Sequence, residues 1–149
     1  MYTQSWICSQ FWTIFEFLPD MLENGGHIVS MCSVAGVAPA TYMVPYCASK
    51  HAIRGLMTGL DLELRETRGA DHPVKLTTVY PFTINTGLAH NPTTRFPGIF
   101  PITEPEDCAR AVIEGARRDQ EEVYVPNIID WSFKLAVSKA QRSKFILGV

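Results

Sequence analysis

Two short apolar runs with one long amphipathic stretch between them set the fold this chain can take. His27-Ile28-Val29-Ser30-Met31-Cys32 follows Gly25 and Gly26, and Val74 to Tyr80 is rich in β-branched residues and halted by Pro81. Runs of this kind read as strands buried in a sheet. Between them, from Tyr46 to about Thr67, Leu56, Leu60 and Leu64 form one stripe, with Arg54, Glu63, Arg65 and Glu66 mostly outside it. That is the pattern of a helix with one face on a core. Gly69 closes the helix. A crossover helix between two strands returns the chain to the same end of the sheet, so the strands are expected to be parallel.

The flanking segments extend this pattern. Phe11, Ile14, Phe15, Leu18, Met21 and Leu22 recur at helical spacing, which predicts a helix from about Gln4 to Glu23 despite Pro19, ended by Asn24-Gly25-Gly26. A loop with Gly36, Pro39 and Pro45 follows the first strand. Pro105-Glu106-Asp107 opens a further helix, with Thr103 or Glu104 near its cap and acids in its first turn, ending around Arg117-Arg118. Glu122 to Val125 reads as a third strand, and Trp131 to Val149 as a helical tail whose charges are all basic. The expected class is α/β, with the strand at Ile28 left as an open edge. The stretch from Leu88 to Pro101, with Phe96, Ile99 and Phe100, is expected to form an apolar lid or, in the alternative, a plain surface crossover.

At 149 residues and 46% hydrophobic content, one globular unit is expected. A net charge of −2, with 13 basic residues against 15 acidic ones, excludes a nucleic-acid footprint. Cys8, Cys32, Cys47 and Cys108 have no C-x-x-C pair and no histidine at ligand spacing, so no metal is expected and the thiols read as free, in a reducing compartment. The first basic residue is Lys50, and the uncharged start ends at Glu16. Neither a signal peptide nor a membrane span is expected.

Chemistry concentrates at Tyr46-Cys47-Ala48-Ser49-Lys50. A phenol and an ammonium at i and i+4 share one face of the helix they begin. A cation there stabilises a phenolate, which makes the pair a general acid/base. Ser33 follows the first strand, and the loop through Gly36 and Pro39 lets its hydroxyl fold back beside the phenol to hold an oxygen that gains or loses a proton.

With these residues the chain resembles the short-chain dehydrogenase/reductase family. The resemblance rests on Gly26-His27-Ile28-Val29-Ser30-Met31-Cys32-Ser33, on Tyr46 to Lys50, and on Pro81-Phe82-Thr83-Ile84-Asn85-Thr86-Gly87. Phe11-Trp12-Thr13 and Phe17-Leu18-Pro19-Asp20-Met21-Leu22 resemble its branch acting on retinoids, steroids and other lipid alcohols. It implies catalytic roles for Ser33, Tyr46 and Lys50, with Tyr46 as acid/base, Lys50 as its tuner and ribose ligand, and Ser33 orienting the substrate oxygen. It implies NAD or NADP as cofactor, held by Tyr46, Lys50, Pro81, Ile84 and Thr86, and a hydrophobic alcohol or ketone as substrate. A homodimer through the two long helices is a further expectation. So is contact with a membrane or lipid-droplet surface, which places the protein in the cytoplasm or at the endoplasmic reticulum or lipid droplets.

The implied fold is a partial Rossmann-like doubly wound parallel sheet. The sequence holds no Thr-Gly-x-x-x-Gly-x-Gly turn, whose glycines admit a cofactor pyrophosphate, and no Asn-Asn-Ala-Gly segment. Trp6 stands where the family has a helix asparagine, and Phe82 where a glycine is usual. One incomplete domain over 1–149 is expected, with 1–10 unrelated to the family, 11–126 family-like and 127–149 a tail. The alternative is a non-catalytic fragment that associates through its helices. A serine hydrolase is disfavoured, since no Gly-x-Ser-x-Gly elbow is present.

Overall fold

The computed structural model of the chain describes residues 2–86, 98 and 101–127. In order they form α1 (Tyr2–Asn24), β1 (Gly26–Met31), a 3₁₀ turn (Val34–Gly36), α2 (Val44–Arg68), β2 (Val74–Pro81), α3 (Pro105–Arg117) and β3 (Glu122–Val125). The strands make one parallel sheet in the order β1-β2-β3. Gly26 to Met31 pair with Val74 to Val79, and Thr78 to Pro81 with Glu122 to Val125.

Side chains alternate across the sheet, and each face buries its own core. Cys32, Val34, Val37, Ile53, Tyr80 and Tyr124 cluster on the side of α2, with Tyr80 and Tyr124 stacked at 4.8 Å. Val79, Cys108, Val123 and Val125 cluster on the other side under α3, with Ile84, Ala111 and Val112 at the margin. α1 packs on α2 and β1 with Ile14 buried, and Ser30 donates from Oγ to Gln10 Oε1 at 3.0 Å. α3 covers β2 and β3, leaving Val29 and Met31 of β1 at 38% and 41% exposure.

A polar thread ties the starts of the strands. Thr77 donates to the Gln120 carbonyl at 2.7 Å, so His27 Nε2, 2.8 Å from the same hydroxyl, is assigned as its donor.

The differences from the expected boundaries have local reasons. α1 runs unbroken through Pro19, which is exposed, so the carbonyl that its missing N–H leaves unpaired stands on the solvent side. α2 begins at Val44, with Pro45 in its first turn, where a missing N–H costs nothing. Pro81, expected to stop β2, is its last residue and pairs with Val125. Glu104 is the N-cap residue of α3 without a capping bond of its own, because its carboxylate accepts from Asn85 Nδ2 at 3.1 Å. The expected lid over Leu88–Pro101 and the expected helical tail lie largely outside the described residues.

Candidate active site

β1 ends at Met31, and the chain continues through Cys32 to Ser33, extended at φ −175°, which caps the 3₁₀ turn. The Ser33 Oγ accepts from the Ala35 N–H at 3.1 Å and donates to the Pro81 carbonyl at 3.5 Å, the end of β2. It is buried at 6% exposure. The hydroxyl therefore sits beyond the carboxyl ends of two adjacent parallel strands, the place where open α/β sheets bind ligands.

Tyr46 and Lys50 come from the first turns of α2. The Lys50 Nζ lies 5.7 Å from the centroid of the Tyr46 ring and donates to the Met31 carbonyl at 3.2 Å. The helix is anchored here by Ser49, wholly buried, whose Oγ donates to the Tyr46 carbonyl at 2.6 Å. Burial lowers the lysine below its ordinary range, with the nearby Cys32 opposing that shift. The three residues expected from sequence thus collect around the end of β1.

Beyond β2, Ile84 is fixed by an isolated parallel bridge to Thr103, and Thr86 N–H donates to the Ile84 carbonyl at 2.8 Å. Pro81 enters through its carbonyl, not its ring. Sequence reasoning missed two participants. One is the Met31 carbonyl, a backbone group that no residue type announces. The other is Cys32, whose thiol donates to the Lys50 carbonyl at 3.2 Å. A groove along α3, lined by Arg110, Ile113, Glu114, Arg117 and Arg118, belongs to the opposite side of the sheet and contributes nothing to this site.

Residues 4–95 match the family model for short chain dehydrogenase. The chain belongs to the short chain dehydrogenase family. The match begins at residue 4, within the segment expected to be unrelated. Rat (Rattus norvegicus) 17-beta-hydroxysteroid dehydrogenase 13 is 39% identical over 127 residues, covering 85% of this chain and 41% of that protein. Human (Homo sapiens) epidermal retinol dehydrogenase 2 is 33% identical over 121 residues, 79% of this chain and 38% of that one. Among solved structures, a short chain dehydrogenase from Burkholderia cenocepacia J2315 in complex with NADP aligns with a TM-score of 0.69 at 24% identity. The alignment covers 82% of this chain and 48% of that one. The chain spans about two fifths of the length of these two relatives, and its sheet is that part of the family's α/β fold.

Proposed function

We propose that the chain carries the proton-transfer half of an NAD(P)-dependent dehydrogenase that interconverts a hydrophobic alcohol, of the steroid, retinoid or long-chain class, with its carbonyl. The observation that supports this most is the Lys50 ammonium 5.7 Å from the centroid of the Tyr46 ring, tied to the Met31 carbonyl two residues before Ser33. The Tyr46 phenol gives its proton to a carbonyl oxygen in reduction, and the phenolate takes it back in oxidation. Lys50 stabilises that phenolate. The Ser33 hydroxyl holds the substrate oxygen. Its bond to Pro81, at 3.5 Å, is weak enough to exchange at little cost.

The donors present fit the nicotinamide end of such a cofactor. A half-buried ammonium beside a phenol, followed by an Ile84–Thr86 turn pinned by its bridge to Thr103, offers ribose and carboxamide partners at the carboxyl ends of the strands. When bound, the nicotinamide supplies or accepts the hydride. The names of the relatives, a hydroxysteroid and a retinol dehydrogenase, support the lipid-alcohol class.

A second reading has its own observation. Phe11, Trp12 and Phe15 of α1 are 51%, 70% and 74% exposed, a surface suited to helix-mediated association.

The test is a chimera in which this chain replaces the matching segment of rat 17-beta-hydroxysteroid dehydrogenase 13. Turnover of a steroid or retinoid alcohol that Tyr46→Phe abolishes is expected. A chimera that folds and binds NAD or NADP yet turns over none of these alcohols overturns the reading.

A further inference from the structure

Cys32 has no part in the proton transfer described above, yet it is built into the site. It is 4% exposed, and its thiol donates to the main-chain carbonyl of Lys50 at 3.2 Å. Gly36 closes over that contact: a Cβ placed on it would stand 2.6 Å from the thiol sulfur and 2.7 Å from the same carbonyl oxygen. The other end of the lysine is tied one residue earlier, Nζ to the Met31 carbonyl. Residues 31 and 32 thus hold residue 50 by its side chain and its main chain, and Ser33 follows directly.

The chemistry of the thiol suits a donor. Burial pushes its pKa up against the opposing Ser33 main-chain hydrogen bond and the charges of Lys50 and Arg54, so the proton stays on sulfur at neutral pH. A helix carbonyl has two lone pairs and the helix uses one, which leaves the Lys50 oxygen able to accept from outside.

We propose that Cys32 is a positioning residue of this site, its thiol locking the Lys50 turn of α2 against the segment that presents Ser33. The proposal rests on the roles given above to Lys50 and Ser33. A residue that only filled the core would be replaceable by any small apolar side chain at a cost in stability alone. A donor is replaceable only by another donor.

The experiment follows the Lys50 side-chain titration by carbon-13 NMR in the 149-residue chain, with Cys32→Ala, Cys32→Ser and, as a core control, Ile53→Val. Both Cys32 variants lose the sulfur charge that raises Lys50, so the comparison between them isolates the donor: the Lys50 midpoint is expected to lie higher, nearer the ordinary lysine value of 10.5, in Cys32→Ala than in Cys32→Ser. In Ile53→Val it is expected to stay where it is in the wild type. A midpoint no higher in Cys32→Ala than in Cys32→Ser, or one raised equally by Ile53→Val, overturns the proposal. A second measurement needs no Cys32 variant to fold. The S–H infrared band of Cys32, assigned by difference against Cys8→Ser, Cys47→Ser and Cys108→Ala chains, is expected below that of exposed Cys8; a band at the free-thiol position overturns the proposal as well. Neither readout involves turnover, so failure here is separable from failure of the chimera.

Discussion

Lys50 donates its side-chain proton to the carbonyl of Met31, 3.2 Å away, at the end of the open strand of the sheet. In β1 the N–H groups of Gly26 and Cys32 point into the sheet, to the Pro73 and Val79 carbonyls. By alternation the main-chain groups of residues 27, 29 and 31 point outward. The lysine thus satisfies the last outward acceptor of that edge and reaches over Tyr46 from the same position.

This placement has a pH signature. Burial, the main cause, lowers Lys50 from 10.5 in the folded chain. Between the lowered value and 10.5 the unfolded chain binds more protons than the folded one, so stability rises with pH across that window. Cys32 and Cys108, raised from 9.0 by burial, act with the opposite sign above pH 9. The Cys108 contribution is common to wild type and Lys50→Met and cancels in the comparison, while Cys32, freed of the opposing Lys50 charge, is raised further in Lys50→Met and adds to the difference in the same direction. Urea unfolding of both proteins from pH 7 to 10 should show wild type gaining relative to Lys50→Met as pH rises. Parallel profiles would refute the assignment.

Two glycines in the same region predict opposite outcomes. A Cβ at Gly36 meets the Lys50 backbone at 2.7 Å, and a helix turn cannot yield as a flexible side chain does. Gly36→Ala should destabilise by about 1–3 kcal/mol, the usual cost of overpacking. Gly59, exposed within α2, has nothing within 4 Å of its Cβ position. Gly59→Ala should stabilise by about 0.5–1 kcal/mol through helix propensity. Denaturation midpoints of the two variants on opposite sides of wild type are the expected result.

Most of the framework was legible in the chain because it rests on periodicity. The parallel sheet, its open β1 edge and the first two helices follow from where Ile28, Val74, Ile14 and Leu60 fall in apolar patterns, and α3 from its Pro105-Glu106-Asp107 start. Tyr46 and Lys50 were legible because i, i+4 spacing fixes a shared helix face. The Met31 carbonyl was not, since a backbone acceptor carries no residue signature. In the sequence Cys32 is one free thiol among four, and only the fold brings it to a carbonyl from residue 50. Gly36 was visible as a loop glycine, but its reason, a Lys50 backbone too close for any Cβ, is a tertiary fact.

The open edge gives a third test. β1, GHIVSM, holds no lysine, glutamate or proline, and its Val29 and Met31 are uncovered. Unblocked edges of this kind template intermolecular pairing. The 149-residue chain should self-associate as its concentration rises, and Val29→Lys should reduce this, as read by sedimentation velocity. Equal association by both chains would place the contact elsewhere.

The last prediction concerns the cofactor. Lys50, Tyr46 and the Ile84–Thr86 turn offer partners for the nicotinamide end, but the sequence has no glycine-rich turn to receive the pyrophosphate. Each tenfold loss of affinity requires only about 1.4 kcal/mol, and several phosphate contacts at a helix N-terminus exceed that severalfold. The 149-residue chain should therefore bind NAD and NADP with a dissociation constant in the millimolar range or weaker, and should show no measurable turnover of retinol or steroid alcohols. Holding reactants at near-attack distance contributes roughly 7–11 kcal/mol to such a reaction, and an anchored cofactor is what provides it. Calorimetric titration with both dinucleotides, beside an activity assay repeated with Tyr46→Phe, decides the matter. Micromolar binding with turnover lost in Tyr46→Phe would mean that residues within this chain hold the pyrophosphate without the glycine turn.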